Sequence, residues 1–420
     1  MRSKLKIITA ADKKIVLGNF LSLSSIQGLS YLMPILILPY LIRVIGPEKF
    51  GLIAFAQALV QYFVILTDYG FNVSATREIA LCASDKQKTC SIFSSVLTVK
   101  CILSLISFLA LLIIVSVVPR FKNDWLVYIF SFGAVIGNTL FPAWFFQGRE
   151  KMAYIARINI AGGVIYTACI FFLIRKPADY LLFPILTSLF FIVTGIAGLY
   201  ISFKKFKLEF VFQEYGNIHK ELKAGWNIFI SVVAINSYTA SRVFAVGLLT
   251  NNVITGYYSI AERIVGFIQG FPLGSLSQAV YPRLNKIFAR NRSRALELMR
   301  KIQNSVVIGY LLILPILFLK TPLLVRIACG KYYPQVDIAL SLLMVSVFFV
   351  VANAFRVQFL LVSGRSDLYS KLHITAALAG MPLIFILTYY FSYIGTALST
   401  LIIEVGVVMA TFHLIKKTAG

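Results

Sequence analysis

The length of its apolar runs restricts this chain more than any other feature. A helix needs about 20 apolar residues to cross the hydrocarbon core of a bilayer. Runs of that kind recur along the whole sequence, at 15–42, 50–67, 96–118, 125–146, 158–174 and 180–201, and again at 226–249, 254–274, 303–319, 338–361, 372–391 and 395–415. Inside hydrocarbon every backbone N–H and C=O must find its partner within the protein. Continuous apolar runs therefore become helices, whereas a membrane β-barrel would show short alternating segments. The expected fold is all-α: a polytopic membrane protein of about 12 transmembrane helices without a soluble domain. A mean hydropathy of +0.84 leaves too little polar surface to cover a water-soluble body of this size.

The Lys and Arg residues set the orientation. With the N-terminus inside, 27 of the 40 fall in inner loops and termini, nine in outer loops, and four within spans, namely Lys100, Arg242, Arg263 and Arg356. Such an excess places both termini in the cytoplasm. It also accounts for the net charge of +24 as attraction to an anionic leaflet, with no nucleic-acid partner. Trp125, Trp144 and Trp226 sit at span ends, where an interfacial aromatic belt is expected. Neither the five cysteines nor the scattered acidic residues have metal-ligand or disulfide spacing. No phosphate-binding G-x-x-x-x-G-K-[ST] loop occurs, so neither a metal nor a nucleotide cofactor is expected. The basic N-terminus leads into a long run with Pro34 and Pro39, which reads as a first span and not as a cleaved signal.

The twelve runs divide six and six about the polar stretch 204–225, expected to be a connector, in part an amphipathic helix on the inner leaflet. The lobes are then 1–203 and 226–420. A faint repeat agrees: Gly18-Asn19-Phe20 is echoed by Trp226-Asn227-Ile228, and Gly51, Ala56 and Val60 match Gly256, Ala261 and Val265 at an offset of 205.

Charge within a span is costly, so each case is a functional candidate. Helical spacing puts Gln57, Gln61 and Asp68 on one face of span 2, and Asn227, Ser231, Tyr238 and Arg242 on one face of span 7. Ser259 and Arg263 share a face of span 8, and Asn353 lies close to Arg356 in span 10. The functional expectation is a cationic cavity in which Arg242, Arg263, Arg356 and Arg43 meet an anionic ligand, with Asn227, Tyr238 and Asn353 alongside. A guanidinium suits phosphate because its planar fork donates two parallel bonds. The alternative is that these arginines pair with Glu262 or Glu404, or reach the surface. Asp68 and Glu262 are the candidates for H+ or Na+ coupling. Lys100 is expected to snorkel inward, and His219, His373 and His413 to lie at the surface.

Several strings resemble bacterial O-antigen flippases. They are Arg43 to Gly51 (RVIGPEKFG), Asp68-Tyr69-Gly70-Phe71-Asn72 with Ser74 to Arg77, Pro142 to Met152 (PAWFFQGREKM), Tyr258 to Arg263 (YSIAER), and Tyr281-Pro282-Arg283. The resemblance is to the polysaccharide-transport branch of the superfamily that includes multidrug and oligosaccharidyl-lipid exporters and the lipid II flippase. It covers nearly the whole chain and is weakest after about residue 365. It implies a V-shaped pair of six-helix lobes in the bacterial inner membrane, moving undecaprenyl-diphosphate-linked O-units outward by alternating access. Membrane lipid and other O-antigen assembly proteins are the implied partners. The competing readings are a multidrug exporter of the same superfamily, against which the basic bias speaks, and a polymerase or transferase, for which the outer loops are short.

Overall fold

The computed structural model describes residues 10–82, 85–213, 215–288 and 291–419. Among these residues all regular structure is helical. The N-terminal lobe holds α1 (Ala10–Asp68), α2 (Phe71–Leu81), α3 (Lys86–Val117), α4 (Pro119–Lys122), α5 (Trp125–Leu140), α6 (Ala143–Gly148), α7 (Met152–Leu173) and, after a 3-10 turn at Pro177–Leu181, α8 (Leu182–Lys205). The C-terminal lobe holds α9 (Tyr215–Leu249), α10 (Asn252–Phe288), α11 (Arg292–Leu319), α12 (Thr321–Cys329), α13 (Pro334–Val362) and α14 (Ser366–Ala419).

Two of these helices are hairpins. Gly46 interrupts α1 at φ 76° and ψ 166°, a conformation open essentially to glycine alone, and Pro47 then begins the second half with its φ already suited to a helix. Ser392 interrupts α14. Across that turn the Thr388 and Thr396 hydroxyls bond at 2.7 Å, and Gly380 packs on Ile403, so the halves run antiparallel. Eight stretches are long and apolar enough to span a membrane, two of them across these turns. With each hairpin counted twice, and the more polar α9 and α10 added, the protein has about twelve crossings. The end bearing Gly46 and Asn252, which the charge count assigns to the outside, is called the outer end below.

The lobes are packed as membrane bundles are, with small residues between helices and large apolar ones toward lipid. On α3 the exposed residues Ile102, Leu105, Ile106, Leu109, Leu112 and Ile113 follow helical periodicity, while Ser104, Ser107 and Leu111 face inward. Gly133 and Gly137 of α5 lie against Ser188 and Phe191 of α8, so close that no side chain would fit. Lipid is as apolar as leucine, so burying leucine gains little there, and close backbone contact does the holding.

Three expectations change. Trp144 is 2% exposed, packed against Phe93 in an aromatic core with Phe145 and Phe203, and belongs to no interfacial belt. Residues 206–213 form no surface helix but an extended strap on α3, where the N–H groups of Glu209 and Val211 donate to Cys90 Sγ and Ser94 Oγ. A hydrogen bond from Lys86 holds the Glu209 carboxyl on this strap below its usual range. Lys100 is buried: its Nζ donates to the Asn138 carbonyl at 3.1 Å and lies 3.7 Å from Asp68 Oδ1.

Candidate functional site

The lobes meet most tightly at the outer end. A Cβ on Gly51 would collide with the Asn252 carbonyl and the Gly256 nitrogen, and a Cβ on Gly256 with the Pro47 carbonyl. The offset of 205 that relates Gly51 to Gly256 also relates Pro47 to Asn252, so the contact is reciprocal, as a two-fold axis between repeats requires. Two arginines of the N-terminal lobe fasten this seam. Arg120 donates from Nε to the Gly247 carbonyl (3.0 Å) and from Nη2 to Asn252 Oδ1 (2.9 Å). Arg43 donates to the Ile327 carbonyl at 2.7 Å. Both carbonyls lie in the last turn of a helix, α9 and α12 respectively, where carbonyls lack helical partners and the dipole favours a cation.

Below the seam lies a cavity of about 320 Å³ between the lobes. Gln57 and Gln61 of α1 face Ser259, Glu262 and Arg263 of α10 across it, with Thr239 of α9 at the side. Arg263 donates to Gln57 Oε1 at 2.7 Å and stands 5.1 Å from the centre of the Phe50 ring. The polar faces expected on spans 2 and 8 thus line one space, with a guanidinium held in it by a neutral partner. At the inner end the lobes touch through aromatic rings, Tyr69 stacked on Phe229 at 4.5 Å.

Arg242 lies in a different place. It lines a cavity of about 420 Å³ within the C-terminal lobe, together with Tyr238, Glu262, Asn353, His373 and Glu404. Its Nη2 is 3.4 Å from Glu404 Oε1, so of the two readings of this arginine, pairing is the one seen. Tyr238 and Asn353 share this cavity, and Glu262 borders both cavities.

The remaining candidates stand apart. Arg356 lies over the Phe412 ring at 5.7 Å, and Arg43 belongs to the outer seam. Asp68 is at the inner rim, accepting from Asn72 and facing Lys100. Asn227 falls on α9 with its side chain outside the described residues, as do those of Tyr281, Pro282, Arg283 and His219. His373, expected at the surface, is 9% exposed, with its ring against Tyr369. Sequence reasoning missed the role of Arg120, for which an outer-loop arginine gives no signal. It named Glu404 as a pairing partner of the span arginines, and Arg242 is the arginine that it meets.

Two of the strings quoted above, at Asp68–Arg77 and Pro142–Met152, come together in the fold. Tyr69 and Gly70 both adopt positive φ and start α2, against which the Pro142–Met152 string packs. Gly148 abuts Ile79, and Thr76 Oγ1 donates to the Trp144 carbonyl at 3.1 Å.

Known proteins share this architecture. The chain is 33% identical over 92% of its length to a protein of Escherichia coli K12 named as an O-antigen transporter, 93% of which is covered. A structure described as the lipid II flippase MurJ in an inward closed conformation overlays with a TM-score of 0.74 at 15% identity, covering 96% of this chain and 87% of that one. An inward-facing multidrug resistance MATE family transporter of the MOP superfamily gives 0.73 at 14% identity, over 94% and 96%. These two likenesses are likenesses of fold. Residues 16–288 match the family described as polysaccharide biosynthesis protein, and with so much of the chain matched, this protein is a member of that family.

Proposed function

We propose that this protein is a flippase, carrying lipid-linked polysaccharide units from the inner to the outer leaflet by alternating access. Its substrate class is the undecaprenyl-diphosphate-linked O-antigen repeat unit, and its setting the bacterial inner membrane with both termini cytoplasmic. The two lobes rock about the outer seam, joined by the strap 206–213. An ion gradient resets them.

One observation carries this reading: Arg263 stands in a polar cavity between lobes that are sealed at the outer end. A diphosphate offers a planar fork two oxygens with full charge, where Gln57 offers one neutral carbonyl. The sugars would find the amides of Gln57 and Gln61, while the polyprenyl chain stays in lipid. The E. coli relative named as an O-antigen transporter supports the substrate class.

The test is translocation of a lipid-linked repeat unit in proteoliposomes. Arg263→Ala should lower the rate at least about tenfold, the worth of one charge-assisted bond, and Arg263→Lys by less. Wild-type rates from a folded Arg263→Ala protein would refute the reading.

A further inference from the structure

The cavity inside the C-terminal lobe is off the route between the lobes, yet it is the more highly charged of the two. Polar groups converge on it from four helices. Arg242 comes from α9, Glu262 from α10, Asn353 from α13, and His373 and Glu404 from the two halves of α14. Arg242 Nε, Asn353 Oδ1 and both ring nitrogens of His373 are buried without a hydrogen-bond partner among the described residues. So much polarity in a lipid-embedded bundle requires water or a ligand to meet it.

The charges come in a suggestive ratio. Glu262 and Glu404 both face this cavity, and Arg242 is the one guanidinium lining it. Arg242 is engaged with Glu404. Arg263 follows Glu262 in sequence but turns to Gln57 on the opposite lobe. The two arginines and two carboxylates balance only while no anion sits on Arg263.

We propose that this cavity is a proton-binding site in which Glu404 and Glu262 share Arg242, and that it takes up one proton when an anionic headgroup binds between the lobes. The step is an exchange of partners. A hydronium ion gives its proton to a carboxylate oxygen of Glu404: one O–H bond breaks in the hydronium, leaving water, and one forms on the carboxyl, cancelling the attraction that holds Arg242. The guanidinium then turns to Glu262, on the wall shared by both cavities. The negative charge of Glu262, which would repel a diphosphate on Arg263, is thereby neutralised. No other covalent bond is made or broken.

A metal cation does not fit as well. The guanidinium repels it and occupies the carboxylate that would ligate it, whereas a proton needs no coordination shell. No cluster of three or more His, Cys, Asp or Glu with metal-binding geometry occurs among the described residues. The other titratable groups around the cavity are Tyr238 on α9, Tyr258 on α10, and Tyr369 and His373 on α14. From α13 the wall presents Asn353, while Arg356 is over Phe412. His373, seven residues into α14, lines the cavity toward its inner end.

The linkage has a definite sign. If a proton raises affinity for the anion, binding the anion must raise affinity for the proton. This inference rests on the flippase reading, and the experiment separates the two. Purified full-length protein in detergent is treated with a hydrophobic carbodiimide, which modifies protonated carboxyls in apolar surroundings, from about pH 5 to about pH 9. Adducts on the peptides bearing Glu404 and Glu262 are quantified by mass spectrometry, with and without undecaprenyl diphosphate, whose binding is counted in the same samples. The Glu404 adduct should fall at least about tenfold as pH rises, and the lipid should move that fall to higher pH. Glu404→Gln, which holds position 404 neutral, should leave Arg242 on Glu262 and suppress the adduct there across the same pH range, with gel filtration confirming the fold. A pH-independent adduct, or none on either glutamate, overturns the proton site. Lipid that binds without moving the profile overturns the coupling and leaves the flippase reading intact. Lipid that does not bind overturns the flippase reading and the coupling together, while the pH profile alone still decides the proton site.

Discussion

The two lobes are built to one plan and filled differently. In the N-terminal lobe the ion pair of buried Lys100 with partly exposed Asp68 sits at the inner rim, and the interior beside it is aromatic: Phe93, Trp144, Phe145 and Phe146 are all nearly inaccessible. In the C-terminal lobe Arg242, Glu262, Glu404 and His373 surround a cavity. The repeat relating the lobes survives where they touch, at Gly51 and Gly256, and has been lost where each does its separate work. One lobe is a rigid wall that positions Gln57 and Gln61; the other holds the charge that can change.

The seam is where that comparison breaks most easily. Gly51→Leu forces a side chain into the Asn252 carbonyl and the Gly256 backbone, which cannot give way as a flexible side chain would. Each lobe should still fold, because the collision lies between them. Translocation should fall to background. A cysteine at position 252 should react with a membrane-impermeant maleimide at least about tenfold faster, as the outer end is wedged open. Unchanged labelling would show that the seam is no gate.

Next in size is the N-terminal ion pair. Lys100 is buried and Asp68 partly exposed, so removing Asp68 strands a buried ammonium, at a cost of up to about 3–5 kcal/mol, whereas replacing both by neutral groups of similar shape costs far less. Asp68→Ala should therefore lower the unfolding temperature in detergent by several degrees, and Lys100→Met with Asp68→Asn should restore most of it. If this lobe is the structural one, the double variant also keeps its translocation rate. Loss of transport in a stable double variant would return Asp68 to the coupling role first expected of it.

Arg120 comes third. It makes two bonds across the seam, each with a charged donor, and such bonds are worth about 1.5–3 kcal/mol before water replaces them. Arg120→Ala should shift the balance between inward and outward states by about tenfold, read as inter-lobe distances between spin labels. Arg120→Lys should recover only part, because a point charge cannot serve the Gly247 carbonyl and Asn252 together.

The sequence disclosed the fold more fully than the site, for a physical reason. Twelve crossings follow from hydropathy and length, which are properties of each segment alone, and Gly46 announces its turn. The polar faces of spans 2 and 8 were legible as periodicity, and they do line one space. The partners of Arg242, Arg43 and Arg356 depend on which helices become neighbours, and periodicity says nothing about that. Four arginines expected in one cavity are distributed over the inter-lobe space, the C-terminal cavity, the outer seam and the Phe412 ring. His373 misled for a related reason. A residue near a span end is at the surface only if no other helix covers it.

The smallest expected effect concerns the inner end. There the contact between the lobes is aromatic, Tyr69 stacked on Phe229 with Trp226 beside them. Stacked rings contribute about 0.5–1.5 kcal/mol beyond the area they bury, less than the arginine bonds at the outer seam. An end that must open to admit a bulky headgroup is suited by such a contact, which parts without leaving a bare charge behind. Phe229→Leu, which removes the stacked ring from a partly buried position and keeps most of its bulk, should leave the unfolding temperature nearly unchanged and raise the population open at the inner end by only about threefold, measured with the same spin labels. A shift as large as that of Arg120→Ala, in the opposite direction, would mean that the two ends are held with equal strength. The asymmetry between a bonded seam and a stacked one would then have to come from the substrate instead of the protein.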